Sequence, residues 1–189
     1  MRKYTQLLDG RKLWIESFDK GQFSVQIEKK DGLIDVLMHQ LSRIVRFSGA
    51  IHFDWTVLDH SLLMTELAED LSDKTKAICL LHDAHEVVVG DAPSPAKEFF
   101  PKEYKLISEA FDRCLGNMFN FGTHNLNLVK DLDNMSLNIE AYLLTSFGWG
   151  DALNHSPKVN RLLNTPTQEK IDNAVKMIKF GLNLKEGEC

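Results

Sequence analysis

Leu80-Leu81-His82-Asp83-Ala84-His85-Glu86-Val87-Val88-Val89-Gly90-Asp91 places four ionisable side chains within five residues of an otherwise apolar run, directly behind Ala77-Ile78-Cys79. Ser72 or Asp73 is a natural cap ahead of it, and Gly90 a natural stop. The spacing therefore predicts one helix from about residue 73 to Gly90, with His82 and Glu86 a turn apart on one face. Asp83 adjoins His82, so an imidazole nitrogen and a carboxylate oxygen can converge on one cation. That donor pair suits zinc, iron, manganese or cobalt. A solvated polar stripe on an amphipathic helix is the plain alternative. It fits poorly here, because apolar residues flank the pair on both sides and burying unpaired charge is costly.

Working outward, the flanking sequence is helical in pattern. Ile34, Leu37, Met38, Leu41 and Ile44/Val45 recur at helical spacing and predict a first helix to about Val45. Leu58, Leu62, Leu63, Leu67 and Leu71 mark a second over about Thr56–Leu71, with Arg46–Trp55 as a loop between them. Asp91-Ala92-Pro93-Ser94-Pro95 cannot continue a helix. Pro101 opens a fourth helix through Phe119, closed by Phe121-Gly122-Thr123. A fifth spans about Asn127–Phe147, and Thr165 or Thr167 caps a last one reaching Phe180. Before all of these, Leu13–Phe18 and Gln22–Ile27 alternate around Asp19-Lys20-Gly21, the pattern of a β-hairpin. Residues 1–12 look like a loose polar lead-in. The expected architecture is mainly α, a single domain over 1–189, with a hairpin region at 1–30 and a helical core at 33–180.

Composition narrows the function classes. A chain of 189 residues with 43% hydrophobic and 26% charged residues is ordinary for one globular domain. A net charge of −5 argues against a binder of duplex nucleic acid. Cys79, Cys114 and Cys189 form no CxxC pair, and no 18-residue apolar span or leader pattern is visible, so a reducing cytoplasmic setting without membrane contact is expected. Glycine-rich phosphate loops are absent, and His82-x-x-His85-Glu86 has the wrong order for a zinc-protease helix.

Two further ligand candidates stand out. His60 lies near the start of the second helix, and Asp133 lies in the fifth, sharing a face with Leu137 and Glu140. Asp131 competes with Asp133, and spacing alone does not choose between them. Either residue alone would more often be a satisfied or exposed polar group.

Taken together the motifs resemble a known family. A His in the second helix, a His-Asp pair downstream and a distant Asp are similar to the HD-domain metal phosphohydrolases. Arg46-Phe47, Val57…His60-Ser61, His82-Asp83-Ala84-His85-Glu86, Gly90-Asp91-Ala92-Pro93-Ser94-Pro95 and Lys130…Asp133…Glu140 resemble the HD-domain 5′-deoxynucleotidases and phage dATP triphosphohydrolases. Trp14…Phe23 and Leu41-Ser42-Arg43…Arg46-Phe47-Ser48-Gly49 look like the phage members, and the likeness covers about residues 13–180.

The resemblance implies a single HD-domain bundle whose metal ligands are His60, His82, Asp83 and Asp133. Asp133 is favoured over Asp131 by the Glu seven positions later. Zinc, cobalt or manganese would be the cofactor. Glu86 and Asp91 match acid/base and positioning carboxylates, and Arg46 matches a contact to substrate phosphate or sugar. Phe47 stands where the deoxynucleotidases usually carry Trp, and the interval to the metal His is one residue shorter. Phe47 and Trp55, with Ile51 and Phe53 nearby, offer aromatic surface for a base, and Lys97, Arg43 and Lys130 are candidate phosphate partners. His85 is read as structural.

The implied activity is hydrolysis of a deoxynucleotide at the α-phosphate, with dATP first, giving deoxynucleoside and triphosphate. A 5′-deoxynucleotidase and a non-catalytic nucleotide-binding module are the alternatives. A homo-oligomer, dimer or higher, in a bacterial or phage-infected cell completes the expectation.

Overall fold

The computed structural model describes residues 2–18, 22–28, 31–50, 54–93, 99, 101–121, 126–142 and 156–185. The chain is mainly helical, with a three-stranded antiparallel sheet at its N-terminus. Strands β1 (Arg2–Gln6), β2 (Lys12–Phe18) and β3 (Gln22–Ile27) lie in that order. Leu13 pairs with Ile27, Ile15 with Val25 and Ser17 with Phe23, so alternate residues of β2 and β3 present one apolar face. Leu13 and Val25 are buried there.

Strand β1 corrects the expected loose lead-in. Tyr4 pairs with Trp14, their ring centroids 4.9 Å apart, and the Lys12 ammonium lies 5.2 and 5.7 Å from the two ring centres. Cross-strand aromatic pairing of this kind holds a short polar strand in place. Leu7, buried at the strand's end, adds an anchor.

The first helix, α1 (Leu33–Leu41), buries Leu33, Ile34, Leu37, Met38 and Leu41. It stops four residues before the expected Val45. The chain turns extended instead: Val45 bridges Thr56, the Arg46 amide donates to the Trp55 carbonyl at 2.9 Å, and the Val57 amide to that of Ile44 at 2.9 Å. This small ladder fixes where Arg46 emerges.

Helix α2 (Val57–Leu67) begins with a capping box in which Thr56 and Asp59 satisfy each other's amides. Every residue from Val57 to Thr65 is buried, which makes α2 the central helix. It ends at Leu67, short of Leu71.

Helix α3 (Asp73–Leu81) is capped by Ser72, whose hydroxyl accepts from the Thr75 amide at 3.2 Å. The expected single helix to Gly90 is broken after Leu81, and a one-turn α4 (Glu86–Val89) resumes it. Across the break the amides of Ala84, Glu86 and Val87 bond to carbonyls three residues back, a tighter winding than α-helix.

Helices α5 (Pro101–Phe119), α6 (Leu126–Glu140), α7 (Pro157–Asn164) and α8 (Thr167–Gly181) follow. Helix α6 ends at Glu140; Gly122, Thr123 and residues 143–147 lie outside the described residues. Helix α7 is an element beyond those the sequence periodicity predicts; Ser156 caps it and Pro157 sits at its start. Pro166, not Thr165 or Thr167, takes the capping position of α8.

Helix α8 packs along α3, α2 packs on both α3 and α6, and α5 covers β3. The Lys170 ammonium of α8 meets the Asp59 carboxylate of α2 at 2.7 Å, a buried pair beside His60. Among the described residues, no helix is long and apolar enough to cross a membrane.

Candidate metal centre

Three elements deliver the site. The first turn of α2 carries His60, the break after α3 carries His82 and Asp83, and α6 carries Asp133, Ser136 and Glu140 at i, i+3 and i+7 on one face. His60 Nε2 lies 3.1 Å from Asp133 Oδ1 and 3.9 Å from Asp83 Oδ2. His82 Nε2 lies 3.1 Å from Asp83 Oδ2 and 4.0 Å from Asp133 Oδ1. Donor atoms of His60, His82 and Asp133 lie within 4.8 Å of one another, and Asp83 Oδ2 lies against both imidazoles. With metal–ligand bonds of about 2.0–2.2 Å, tetrahedral neighbours stand roughly 3.4 Å apart, in the middle of the observed spread.

The second nitrogen of each imidazole is committed. His60 Nδ1 is 2.6 Å from Glu140 Oε1, and His82 Nδ1 is 2.7 Å from the Cys79 carbonyl. Both acceptors take an Nδ1–H, which leaves each Nε2 facing Asp83 and Asp133, with a lone pair for a cation once it carries no proton. The residues present therefore fit a divalent cation. His60 is fully buried while the Asp133 side chain is 40% exposed, so the centre opens to solvent on the Asp133 side.

The electrostatics are those of closely paired imidazoles and carboxylates. Burial alone would depress the His82 imidazole, but Asp83 and then Asp133 override it and push it up to about 9. Burial would raise Asp83, yet His82, with smaller effects of His60 and His85, holds its carboxyl far below the usual range. Asp133 and Glu140 are likewise lowered against burial, chiefly by hydrogen bonds to His60. Burial opposes the charge on Arg46, but Glu140, Asp83, Asp91 and Glu86 more than compensate and raise it.

The other expected residues fall as follows. Asp131 is exposed while Asp133 turns inward, which separates the two. Glu86 is buried at the start of α4, with a carboxylate oxygen within 4.8 Å of donor atoms of Asp83 and His85. Asp91 accepts the Phe47 amide at 3.2 Å. Arg46 is buried, with Nε on Glu140 Oε2 at 3.2 Å and Nη1 3.7 Å from Asp83 Oδ2. Phe47, half-buried, has its ring centre 5.8 Å from the Arg46 guanidinium.

Trp55 is fully buried, so it offers no surface to a base. Arg43 and Lys130 are exposed. Lys97, Ile51 and Phe53 lie outside the described residues. His85 is buried against Tyr104, its Nε2 3.3 Å from the phenol oxygen.

In sequence Glu140 is marked only by its spacing; the structure adds Ser136 beside it and Tyr104 beside His85. Ser136 Oγ lies 3.2 Å from His60 Nδ1 and 3.3 Å from Glu140 Oε1. The Asp133-x-x-Ser136-x-x-x-Glu140 spacing was the available signal, since it puts all three on the face that carries the ligand.

No family profile matches the chain. It is similar to an uncharacterized protein of Rhodobacter capsulatus, at 26% identity over 163 residues covering 80% of this chain and 78% of that one. It is also similar to the uncharacterized Escherichia coli protein YfdR, at 31% identity over 90 residues, 48% of each chain.

Proposed function

We propose that the chain is a metal-dependent phosphohydrolase of the HD-domain type that cleaves deoxynucleotides at the α-phosphate. The observation that carries this reading is the cluster of His60 Nε2, His82 Nε2 and Asp133, with Asp83 against both imidazoles and both Nδ1 atoms committed elsewhere. A divalent cation held there, zinc, cobalt or manganese, would supply Lewis-acid polarisation of the phosphoryl group and activation of a water.

The chain's own groups account for the rest. Glu86, buried beside Asp83, would hold the attacking water or protonate the leaving 5′-oxygen. Asp91 fixes the turn at Phe47 through its amide. Attack at the α-phosphorus releases phosphate from a monophosphate and triphosphate from a triphosphate, so one site serves either substrate.

The resemblance to phage enzymes puts dATP first. A specific observation favours the 5′-deoxynucleotidase as second reading. Glu86, Asp91 and Glu140 surround the ligand carboxylates, and the buried cation Arg46 is already engaged by two of these acidic groups. A triphosphate tail would need further positive charge, whereas a monophosphate would not.

Product analysis across all deoxynucleoside mono- and triphosphates, with cobalt, manganese or zinc added, tests both. Deoxyadenosine with intact triphosphate is the expected result, and Glu86→Gln should lower its rate roughly 10²–10⁴-fold while metal stays bound. Activity confined to monophosphates selects the second reading. Pyrophosphate with dAMP would overturn attack with a nucleoside leaving group. Neither bound metal nor phosphate release would leave a nucleotide-binding module.

A further inference from the structure

Arg46 is the residue whose surroundings depart most from the role its sequence context implies. A side chain that contacts substrate is expected at the mouth of a site with donors to spare. Here the side chain is buried, and its guanidinium spans two carboxylates of different standing. Nε donates to Glu140 Oε2 at 3.2 Å, and Nη1 lies 3.7 Å from Oδ2 of Asp83. The other oxygen of Glu140 takes the Nδ1–H of His60 at 2.6 Å. A continuous chain therefore runs from Arg46 through Glu140 to one histidine, while the same guanidinium flanks a carboxylate of the donor set.

The backbone supports the same assignment. Arg46 is extended and tied to the Trp55 carbonyl through its amide. The next two residues, Phe47 and Ser48, have φ of 56° and 52°, the left-handed region that side-chain-bearing residues rarely adopt. Such a turn persists only where its surroundings hold it. It is held at one end by Arg46 on Glu140 and Asp83, and at the next residue by Asp91 on the Phe47 amide. A strained turn latched in this way does not present Arg46 as a free arm.

We propose that Arg46 is a positioning residue of the metal centre. Acting through Glu140, it holds His60 with Nε2 turned to the cation, and beside Asp83 it fixes the orientation of that carboxylate. Metal occupancy and the conformation of the 46–49 turn are then coupled. The assignment rests on the reading that His60, His82, Asp83 and Asp133 hold a divalent cation. The geometry makes the bidentate reach essential, since a lysine would place one charge but could not span both carboxylates.

Cobalt(II) binding, measured by chelator competition on wild type, Glu140→Gln, Arg46→Met and Arg46→Lys, tests this. Glu140→Gln and Arg46→Met should each weaken binding about 10–100-fold, the range for removing an outer partner of a metal-bound imidazole. Combined, they should cost little more than the larger single change, because they act along one chain. In the zinc-loaded protein, nitrogen-15 imidazole spectra should lose or shift one Nδ1–H resonance in both variants. Circular dichroism of each metal-free protein checks the fold. Should Arg46→Met not fold, Arg46→Lys decides, with weaker cobalt binding expected. Unchanged cobalt affinity in the folded Arg46 variants, with only a raised KM for nucleotide, would overturn the assignment and return Arg46 to substrate contact. Wild type that binds no cobalt would instead remove the metal centre itself.

Discussion

The seam between α3 and α8 and the seam between α2 and α6 are built from opposite materials. The first is apolar and close: Ala77 and Ile78 on α3 are buried, as are Ala174, Val175 and Ile178 on α8. At its end the helices approach so nearly that a β-carbon on Gly181 would collide with the Asp73 carbonyl and the Ala77 methyl. The second seam is polar and equally buried, with His60, Ser136 and Glu140 joined by hydrogen bonds of 2.6–3.3 Å. One seam answers to volume and the other to protons. Both end at the His82–Asp83 turn, because α3 leads into it and α2 faces it. The fold thus separates what holds the turn in place from what sets its chemistry.

The sharpest way to break that separation is at the turn itself. His82→Ala or Asp83→Ala should abolish turnover and most metal binding while the circular dichroism and the α3–α8 packing survive. Either change removes a coordinating atom and so weakens the chelate directly, while the apolar contacts of α3 with α8 remain, so affinity falls far more than stability. A variant with full metal and full rate would remove the pair from the centre.

Much of this was legible in the sequence for a physical reason. His60, His82, Asp83 and Asp133 interrupt apolar periodicity, and a polar group in an apolar run either has a partner or destabilises the fold. The long amphipathic helices showed for the same reason of period. Strand β1 did not show, since Tyr4 gains its stability from Trp14 across the sheet and not from its own neighbours. The break after Leu81 was hidden because its residues are all compatible with helix. What ends α3 is a local side-chain arrangement that helix propensity does not reveal: His82 turns its Nδ1 back on the Cys79 carbonyl and its Nε2 toward Asp83. Glu140 was visible only as a spacing, because its partners His60 and Arg46 lie 80 and 94 residues away.

On the apolar seam, Gly181→Ala should act on stability alone. Alanine is the better helix former by about 1 kcal/mol. Overlap with backbone atoms outweighs that gain, because the Asp73 carbonyl cannot rotate away as a side chain would. Overpacking of this kind costs about 1–3 kcal/mol, and each kcal/mol lowers the melting temperature of a chain this size by about 2–4 °C. Cobalt affinity measured well below the melting temperature should match wild type. Weakened metal binding in the still-folded protein would show that the two seams are not independent.

The smallest effect separates the seams by pH. In the metal-free centre Asp83 and Asp133 overcome burial and hold the His82 imidazole protonated up to about pH 9, above its ordinary 6.5. A cation needs the lone pair on Nε2, so loading the site at pH 7 must displace that proton. Apparent metal affinity should therefore climb by about tenfold per pH unit from 7 towards 9 and level off above it. The sign for the metal-free fold is the reverse. A raised imidazole pKa contributes stability that is fully present below about 6.5 and is lost as pH rises through about 9. Melting curves with and without metal at pH 7.0 and 8.5 should thus diverge, the metal-free curve falling and the metal-induced increment growing. Gly181→Ala should shift both curves down together without changing their divergence. An increment that stays flat between the two pH values would mean that His82 Nε2 does not bind the cation.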